Sequence, residues 1–463
     1  MRFFPCFAFA LCLAALNTTA DERPPNIVFI IADDLGYGDL SAYGAPDLKS
    51  PHIDGLFAAG MRFDNFYANC PVCSPSRAAI LTGLYPDKAG VPGVIRTPLP
   101  DRVPNWGKLR EDAVMLPTQL KKAGYHTAAV GKWHLGLEAP DRPNDRGFDF
   151  FHGFLGDMMD DYYDHLRHGK HYMRRNREPV HPEGHATDLF SDWAVDYIKE
   201  RTSEENSDQP FFLYLAYNAP HTPIQPPQDW LEKVKARESG IEDKRAALVA
   251  LIEHMDHGIG KVVETLKETG AWENTVTVFT SDNGGQVSVG ARNAPLRGGK
   301  QEMWEGGIRV GTCVVWPEKI ESGQVNGDHL SLGMDFYPTL AELAGAKVEH
   351  EIDGRSFAPL LLGEPFEDKP RDVYWVRLEG NLRYGGIPYH AVQSGGWKLT
   401  RNSGFEPYEM FNLNVDPGEE NPIPRQRAPK RYEALFNSLM GHINLAGKVP
   451  WQRESEGELW EQE

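Results

Sequence analysis

The strongest constraint on the fold is a series of short apolar runs that alternate with helix-like segments. Asn26–Ile31 is apolar at every position after its asparagine, as is typical of a parallel strand buried on both faces. Comparable runs recur at His126–Val130, Phe211–Tyr217, Thr275–Thr280 and Gly311–Val315. The longest helical pattern lies between them, at Ile241–Thr269. The alternation predicts an α/β fold with a mostly parallel central sheet flanked by helices, and ligands beyond the carboxyl ends of its strands.

The character of the chain changes near Gly363–Pro370, which is rich in charged residues and turn formers. A chain of 463 residues is too long to fold around one small hydrophobic core. We therefore predict a large domain over residues 21–365 and a small C-terminal α+β subdomain over residues 366–463. The subdomain should contain an antiparallel sheet and a final helix near Lys430–His442. Its predicted strands are Asp372–Val376, His390–Ser394, Trp397–Arg401 and Tyr408–Phe411.

Residues 1–20 have the pattern of a signal peptide. Arg2 precedes the apolar run Phe3–Leu16, and small residues lead to Ala20. The alternative is an anchor that stays in place, although the run is short for a bilayer, and no other segment predicts a membrane span. We expect a secreted or periplasmic protein. No Asn-x-Ser/Thr sequence follows residue 20, which favours a bacterial source.

The charge and the cysteines limit the classes of function. A formal net charge of −18 excludes binding of nucleic acid through the overall field, so an anionic substrate would need a local basic patch. Loss of residues 1–20 leaves Cys70, Cys73 and Cys313. An odd number in a large exported chain is not a disulfide framework. Whether Cys70 and Cys313 pair stays open.

Oxygen-bearing side chains follow two of the predicted strands. Asp33 and Asp34 come after the first strand, and Asp282 and Asn283 come after the fourth. Adjacent carboxylates repel each other when buried unless a cation or protons compensate. Taken singly, such a pair would be a turn or a helix cap. Its repetition at equivalent strand ends favours a metal site, and hard oxygen ligands favour Ca²⁺ or Mg²⁺ over zinc.

The segment Cys73–Gly83 predicts a short helix, with Pro75 near its start and Gly83 near its end. Cys73 would stand at the helix N-terminus, where backbone N–H groups favour an anion and acidify a thiol. Arg77 would lie one turn along. This arrangement predicts a nucleophile beside an anion site, and the alternative is a buried structural cysteine.

The sequence CSPSRAAILTG at Cys73–Gly83 resembles the signature of the type I, formylglycine-dependent sulfatases. Further segments like those of the family follow in the family's order. They are Ala32–Gly38, Gly131–Gly136, Ala219–Pro223, Ser281–Gly285 and Gly298–Gly307. The resemblance implies the alkaline-phosphatase-like α/β fold, with the sulfatase catalytic domain at 21–365. It also implies that a formylglycine-generating or anaerobic sulfatase-maturating enzyme oxidises Cys73 to formylglycine on the unfolded chain, which would account for the odd cysteine.

The resemblance also implies one bound Ca²⁺. Its ligands would be Asp33, Asp34, Asp282 and Asn283, completed by an oxygen of the modified Cys73. Hydrated formylglycine carries two hydroxyl groups on one carbon. One would attack the sulfur of the ester, and the other would later expel the sulfate.

Five further residues match the family's catalytic positions. Arg77 and Lys132 would hold and neutralise the hydrated aldehyde, and His134 would be the base that helps to regenerate it. His221 and Lys300 would bind sulfate and protonate the departing oxygen. Fixed cations of this kind stabilise the charge that builds up in the transition state. The alternative is that these lysines are surface residues and these histidines ordinary loop residues, but their flanking segments favour function.

Two other classes of function compete with a sulfatase. A phosphomonoester, phosphodiester or phosphonate hydrolase of the same superfamily would generally use two zinc ions and a Ser or Thr nucleophile, whereas this chain has Cys73. A thiolate phosphatase would need a wider spacing between Cys73 and its arginine. A binding protein that had lost catalysis would lack a ligand or a histidine, and none is missing.

The substrate is the least determined feature. Export and polar, aromatic loops favour a sulfated carbohydrate, either a glycosaminoglycan or an algal polysaccharide. The sugar, the sulfate position and exo or endo action stay open. Candidate specificity elements are Asp157–His171 and Glu379–His390. The segment Arg167–Arg177 is predicted to flank the mouth of the site and attract neighbouring sulfates, with a solvated loop as the alternative. Its cations are Arg167, Lys170, Arg174, Arg175 and Arg177.

Overall fold

The computed structural model describes residues 23–97, 107–380 and 384–446. The predicted signal peptide at residues 1–20 lies outside these ranges. Residues 381–383 of the Glu379–His390 segment and residues 447–463 of the predicted subdomain lie outside them as well.

The predicted apolar runs form the centre of a large sheet. Within the described ranges this sheet has ten strands, and its five central strands are parallel. Its fold class is therefore the predicted one. From one edge to the other the strands are Gln324–Asn326, Met61–Phe63, Thr312–Val315, Thr275–Ser281, Asn26–Ala32, Phe211–Ala216, His126–Lys132, Phe150–Phe154, Met173–Arg175 and Glu178–Pro179.

Burial on both faces explains why these strands are continuously apolar. Along Asn26–Ala32, Val28 and Ile30 pack into the core on one face, while Ile27 and Phe29 pack into the core on the other. The first core is covered by the helices Pro51–Ala59, Ala186–Arg201, Gln228–Arg237 and Asp243–Glu268. The second is covered by the helices Cys73–Thr82, Leu116–Lys122, Phe336–Leu343 and Ala358–Leu361. None of the helices within the described ranges is long and apolar enough to cross a membrane.

The run at Gly311–Val315 was grouped with the parallel strands, and that expectation is wrong. The strand Thr312–Val315 pairs antiparallel with Thr275–Ser281. A parallel neighbour needs a crossover back to the starting edge of the sheet, but only the 3₁₀ helix Val287–Val289, the four-residue helix Glu305–Ile308 and loops lie between these strands. The chain thus re-enters the sheet from the edge at which the preceding strand ended. An apolar run does not encode the direction of its strand.

The C-terminal part forms a separate antiparallel sheet of four strands, as predicted. The helix Pro429–Ala446 packs against it through Leu435 and Leu439. The strands are Val373–Arg377, Tyr389–Ser394, Trp397–Arg401 and Glu409–Asn412. The boundary between residues 365 and 366 stays a prediction.

A buried ionic group joins the small sheet to the main domain. Lys398 lies within 2.9 Å of a Glu305 carboxylate oxygen and 2.8 Å of a Glu419 carboxylate oxygen. All three side chains are fully buried. Glu305 lies within the Gly298–Gly307 segment and begins a short helix there, so this contact connects the subdomain to a family-like segment.

We predict that Lys398→Met lowers the free energy of unfolding by about 3–5 kcal/mol, because two buried carboxylates would lose their counter-charge. Denaturant unfolding followed by circular dichroism measures the change. Lys233→Met is the matched control, since the same substitution removes an exposed partner of Asp229 and should change the free energy little. Equal effects of the two substitutions would contradict a structural role for the buried group.

Candidate active site

The polar residues that follow the first and fourth apolar runs meet at one edge of the sheet. Ala32 pairs in register with Ser281, so Asp33 and Asp282 leave adjacent parallel strands at the same level. The backbone N–H of Asp34 donates to Asp282 Oδ1 at 3.2 Å. Asp34 itself has a left-handed backbone with φ of 68°, which turns the chain sharply beyond the strand. The carboxylates are thereby crowded into one buried cluster.

Two oxygens in this cluster are open to a cation. The side-chain nitrogen of Asn283 donates to Asp34 Oδ1 at 2.8 Å, which leaves Asn283 Oδ1 buried with no hydrogen-bond partner. Asp33 Oδ1 is likewise buried and makes no hydrogen bond. Ligand atoms of Asp33, Asp34, Cys73 and His221 lie within 4.8 Å of one another. Buried oxygens without partners are unfavourable unless something binds them, so the donor set fits a hard cation.

Each carboxylate of the cluster also contacts a basic side chain. Arg77 Nε donates to Asp282 Oδ2 at 2.9 Å, Lys132 forms an ion pair with Asp33, and Lys300 Nζ lies 2.6 Å from Asp34 Oδ2. The structure thus brings together the three cations that the resemblance singled out. They come from a helix, a strand and a loop that are far apart in the sequence.

The pKa values of the carboxyl groups differ despite similar burial. Burial raises the pKa of Asp282 to about 7, and repulsion from Asp33 adds to this effect. Burial would also raise the pKa of Asp33, but Lys132 and other neighbouring cations lower it well below its usual value. The negative charge is therefore concentrated on Asp33. The ionised form of Asp282 is destabilised by burial and by repulsion from Asp33.

Cys73 begins the helix Cys73–Thr82, and Gly83 ends it with a left-handed backbone, as the sequence predicts. The thiol is fully buried beside this cluster, and burial raises its pKa well above the usual value. The expected acidification at the helix N-terminus is therefore wrong for the unmodified thiol. Lys300 and Lys132 favour the thiolate, but desolvation outweighs them.

The two catalytic-site candidates His134 and His221 differ in which ring nitrogen carries the proton. His134 Nε2 lies 2.9 Å from the carbonyl oxygen of Ile95; because a carbonyl only accepts, this nitrogen carries the proton. His134 Nδ1 is buried and without a partner. In His221 the order is reversed, since Nδ1 donates to the Thr222 carbonyl at 2.7 Å and Nε2 lies 3.6 Å from Asp34 Oδ2. Burial lowers the pKa of both rings, helped by Lys132 and Lys300 respectively.

A segment that sequence reasoning missed holds the site together. The backbone N–H of Ile95 donates to Ser74 Oγ at 3.0 Å, next to the cysteine, while its carbonyl orients His134. Two residues on, the Thr97 hydroxyl donates to Asp157 Oδ1 at 2.7 Å. The first residue of the predicted Asp157–His171 element thus lies close to the site. Ile95 acts through its backbone, which no side-chain pattern reveals.

The other predicted specificity element also approaches this segment. Glu379 pairs with Arg96 and, on its other side, with Arg377 at 2.8 Å. Arg377 Nη1 in turn donates to the carbonyl of Gln301, the residue after Lys300, at 3.0 Å. The C-terminal part of the chain therefore reaches the segments that carry Ile95 and Lys300, and Arg96 had no signal in the sequence beyond its charge.

Known protein families and relatives match most of the chain. The family model described as Sulfatase matches residues 25–346, and the model described as N-sulphoglucosamine sulphohydrolase, C-terminal, matches residues 299–444. The chain is 31% identical to N-acetylgalactosamine-6-sulfatase of Canis lupus familiaris over 88% of this chain and 78% of the relative. It is 34% identical to Arylsulfatase J of Mus musculus over 94% and 79% of the two chains.

A bacterial relative and solved structures extend the comparison. A protein named Sulfatase from Formosa agariphila is 32% identical over 88% of this chain and 86% of its own. The crystal structure of Ps i-CgsB in complex with k-i-k-neocarrahexaose superposes with a TM-score of 0.80 and 32% identity, covering 95% of this chain and 97% of that one. The PsFucS1 sulfatase from Pseudoalteromonas sp. superposes with a TM-score of 0.75 and 26% identity, covering 93% and 92%.

The raised pKa of Asp282 predicts a pH dependence in metal-free protein. A carboxyl group whose pKa rises from 3.8 to about 7 on folding contributes stability at low pH, and this contribution is lost as the pH rises through 7. After treatment with a chelator, the melting temperature should fall between pH 5 and pH 8 more steeply than that of Asp282→Asn. Scanning calorimetry of both proteins across this range measures the difference, and parallel profiles would contradict the assignment.

Proposed function

The chain belongs to the sulfatase family and hydrolyses sulfate esters, and we propose that its substrates are sulfated carbohydrates cleaved with a formylglycine derived from Cys73. One observation carries the proposal: Cys73 lies at the centre of a buried cluster in which Lys132 and Lys300 each contact a carboxylate. The oligosaccharide in the Ps i-CgsB complex supports a carbohydrate substrate, as do the N-acetylgalactosamine-6-sulfatases among the relatives.

The surroundings of Cys73 support its conversion to formylglycine. A buried thiol with a raised pKa is protonated near neutral pH and is a weak nucleophile. Formylglycine hydrate would instead supply a hydroxyl group for attack on sulfur. We propose that a separate maturation enzyme makes this change before folding, because Cys73 is fully buried in the folded chain.

The proposed calcium site consists of Asp33, Asp34, Asp282 and Asn283, with an oxygen of the modified residue 73. The open oxygens of Asp33 and Asn283 support it, since Ca²⁺ prefers carboxylate and amide oxygens. Calcium would add positive charge beside the bound sulfate ester.

Proton transfer follows from the two histidines. His134 presents an unprotonated Nδ1, and its lowered pKa keeps it in that state, which suits the base that removes a proton when the aldehyde is regenerated. His221 presents Nε2 to the cluster. We assign to His221 and Lys300 the binding of sulfate and protonation of the departing sugar oxygen, worth roughly 10²–10⁴-fold in rate. The proton would come from the Lys300 ammonium group, or from His221 once Nε2 has taken up a proton beside the negatively charged ester. Arg77 and Lys132, which contact Asp282 and Asp33, would hold and neutralise the hydrated aldehyde.

Several finer features extend the proposal. We propose export to the periplasm or the outside of the cell, on the pattern of residues 1–20. We also assign substrate selection to Asp157 and to the Arg96–Glu379 pair, which lie close to the segment that orients His134. A phosphoester hydrolase is not favoured, because the residues that would hold the metal are mostly oxygen donors.

The nucleophile is tested by mass spectrometry of peptides from active protein, which should show an aldehyde or its hydrate at position 73. Turnover of an aryl sulfate should exceed turnover of the matched aryl phosphate. Cys73→Ala should lose aryl sulfatase activity by at least about 10³-fold, because the attacking group is gone. It should stay folded, since the substitution removes one small side chain.

Cys313→Ala is the matched control, because this thiol is equally buried but lies in the strand Thr312–Val315, outside the cluster. Cys313→Ala should retain activity. In the unaltered protein, the peptide that contains Cys313 should have the mass of unmodified cysteine. Full activity in protein that carries only unmodified cysteine at position 73 would rule out the mechanism. Preference for the aryl phosphate would rule out the assigned reaction.

The metal is tested by Asn283→Ala, because Asn283 Oδ1 has no protein partner and the side chain carries no charge. Elemental analysis of the unaltered protein should give one calcium per chain and of the variant much less, with a parallel loss of activity. Asn274→Ala is the control, since Asn274 precedes the other end of the same strand. Two zinc ions per chain would instead favour a phosphatase.

A further inference from the structure

Tyr162 lies within the Asp157–His171 segment and reaches the backbone that carries His221. Its side chain is buried, and its hydroxyl donates to the carbonyl of Asn218 at 2.8 Å and to the carbonyl of His221 at 2.9 Å. Because a carbonyl oxygen only accepts, the single O–H group is shared between these two acceptors. Tyr162 therefore holds the backbone of a proposed catalytic residue rather than its ring.

The two carbonyls belong to a tight turn at residues 218–221. The backbone N–H of His221 donates to the Asn218 carbonyl at 2.9 Å, which closes the turn. The backbone N–H of Asp33 donates to the carbonyl of Ala219 at 3.1 Å. The turn is thus held by a proposed metal ligand on one side and by the Tyr162 hydroxyl on the other.

The ring of His221 is tied to this local backbone. His221 Nδ1 donates to the carbonyl of the next residue, Thr222, at 2.7 Å, and Nε2 lies 3.6 Å from Asp34 Oδ2. A displacement of the turn would therefore carry Nε2 away from the cluster of carboxylates. Misplacement of a reacting group by about 1 Å can cost about 10²-fold in rate.

Tyr162 is itself fixed by residues at the far end of the same loop. Its backbone N–H donates to Gln225 Oε1 at 2.8 Å. Its ring stacks on the ring of His185, with the centroids 4.9 Å apart and the planes at 24°. His185 Nε2 in turn donates to the Gln225 carbonyl at 3.0 Å. Tyr162, His185 and Gln225 therefore form one support behind His221.

His185 also belongs to a group with Asp188 and His254, in which possible ligand atoms lie within 4.8 Å of one another. Hydrogen bonds already occupy both ring nitrogens of His185, since Nδ1 accepts from the backbone N–H of Thr187 at 3.2 Å and Nε2 donates to Gln225. His254 Nε2 lies 2.8 Å from Asp188 Oδ1. A metal ion would have to break these bonds, so the group supports the loop and is not assigned as a cation site.

We propose that Tyr162 is a positioning residue, which holds the backbone of His221 so that Nε2 stays beside the carboxylate cluster where the sulfate ester is cleaved. The hydroxyl keeps its proton for this role, because burial, followed by the charges of Asp33 and Asp34, raises the pKa of Tyr162 well above its usual value. Tyr162 acts through His221 and not on the substrate. The inference rests on the role proposed for His221 in sulfate binding and proton transfer.

Tyr162→Phe removes only the hydroxyl, and its effect is read from two aryl sulfates with different leaving groups. The acidic para-nitrophenol leaves without a proton, whereas the more basic para-methoxyphenol needs one. The ratio of kcat/KM for para-nitrophenyl sulfate to kcat/KM for para-methoxyphenyl sulfate should rise about tenfold, which is part of the effect of proton donation. Changes in sulfate binding or in the folded fraction cancel in this ratio.

Tyr125→Phe is the matched control. Tyr125 is also buried, and its hydroxyl donates to the carbonyl of Pro25 at 2.7 Å. Pro25 directly precedes the strand Asn26–Ala32, so this contact lies at the end of the strand opposite the active site. Tyr125→Phe should leave the ratio unchanged, even where it lowers the melting temperature as much as Tyr162→Phe does.

Two further variants keep the test decisive. Gln225→Ala removes the acceptor of the Tyr162 N–H and should raise the ratio by a smaller factor, without any change to the tyrosine itself. In the background of His221→Ala, Tyr162→Phe should change the ratio by less than about twofold, because both substitutions act on the same group. A full additional effect in the double variant would overturn the inference. So would an unchanged ratio in Tyr162→Phe when His221→Ala raises it.

An unchanged ratio in His221→Ala would instead contradict the proton transfer proposed for His221. Positioning is then read from competitive inhibition by inorganic sulfate, the other interaction assigned to this residue. Tyr162→Phe should weaken inhibition when His221 is present and should not weaken it further in His221→Ala. Weakening of the same size in both backgrounds would rule out action through His221.

Discussion

The crowding of Asp33, Asp34 and Asp282 at the ends of two adjacent strands is the constraint on which the rest of the site depends. Three carboxylates in a buried volume repel each other strongly, and no arrangement of the strands alone relieves this. Arg77, Lys132 and Lys300 each contact one of them. The site therefore consists of carboxylates that alternate with basic side chains. An anionic sulfate ester would bind where these basic side chains are already fixed.

This constraint also explains why the cations come from separate elements. The helix Cys73–Thr82 brings Arg77 to Asp282, and the strand His126–Lys132, two positions away from Asn26–Ala32 in the sheet, ends in Lys132 beside Asp33. Because each contact is buried, loss of one partner leaves a charge uncompensated. Catalytic geometry and local stability thus rest on the same contacts, and substitutions at these residues should not affect one without the other.

The sequence predicted those features that depend on the type and the spacing of side chains. The apolar runs predicted the strands, and paired acids after two of them predicted where Asp33 and Asp282 meet. Direction was not encoded, as the antiparallel Thr312–Val315 strand shows. Backbone contacts were not encoded either. The carbonyl of Ile95 sets which nitrogen of His134 carries the proton, yet any residue at that position would offer the same oxygen. The position of Cys73 at a helix N-terminus predicted a lowered pKa of its thiol. Burial raises this pKa instead, and the depth of burial depends on tertiary packing.

Two of the contacts that connect the C-terminal subdomain to the main domain differ in character. Lys398, buried with Glu305 and Glu419, can only serve stability, because water and substrate do not reach it. Glu379 pairs with Arg96, whose side chain is one-third exposed, so this contact is partly open to solvent. The buried contact can therefore hold the subdomain in place while the exposed one, to which we assign substrate selection, stays free to vary.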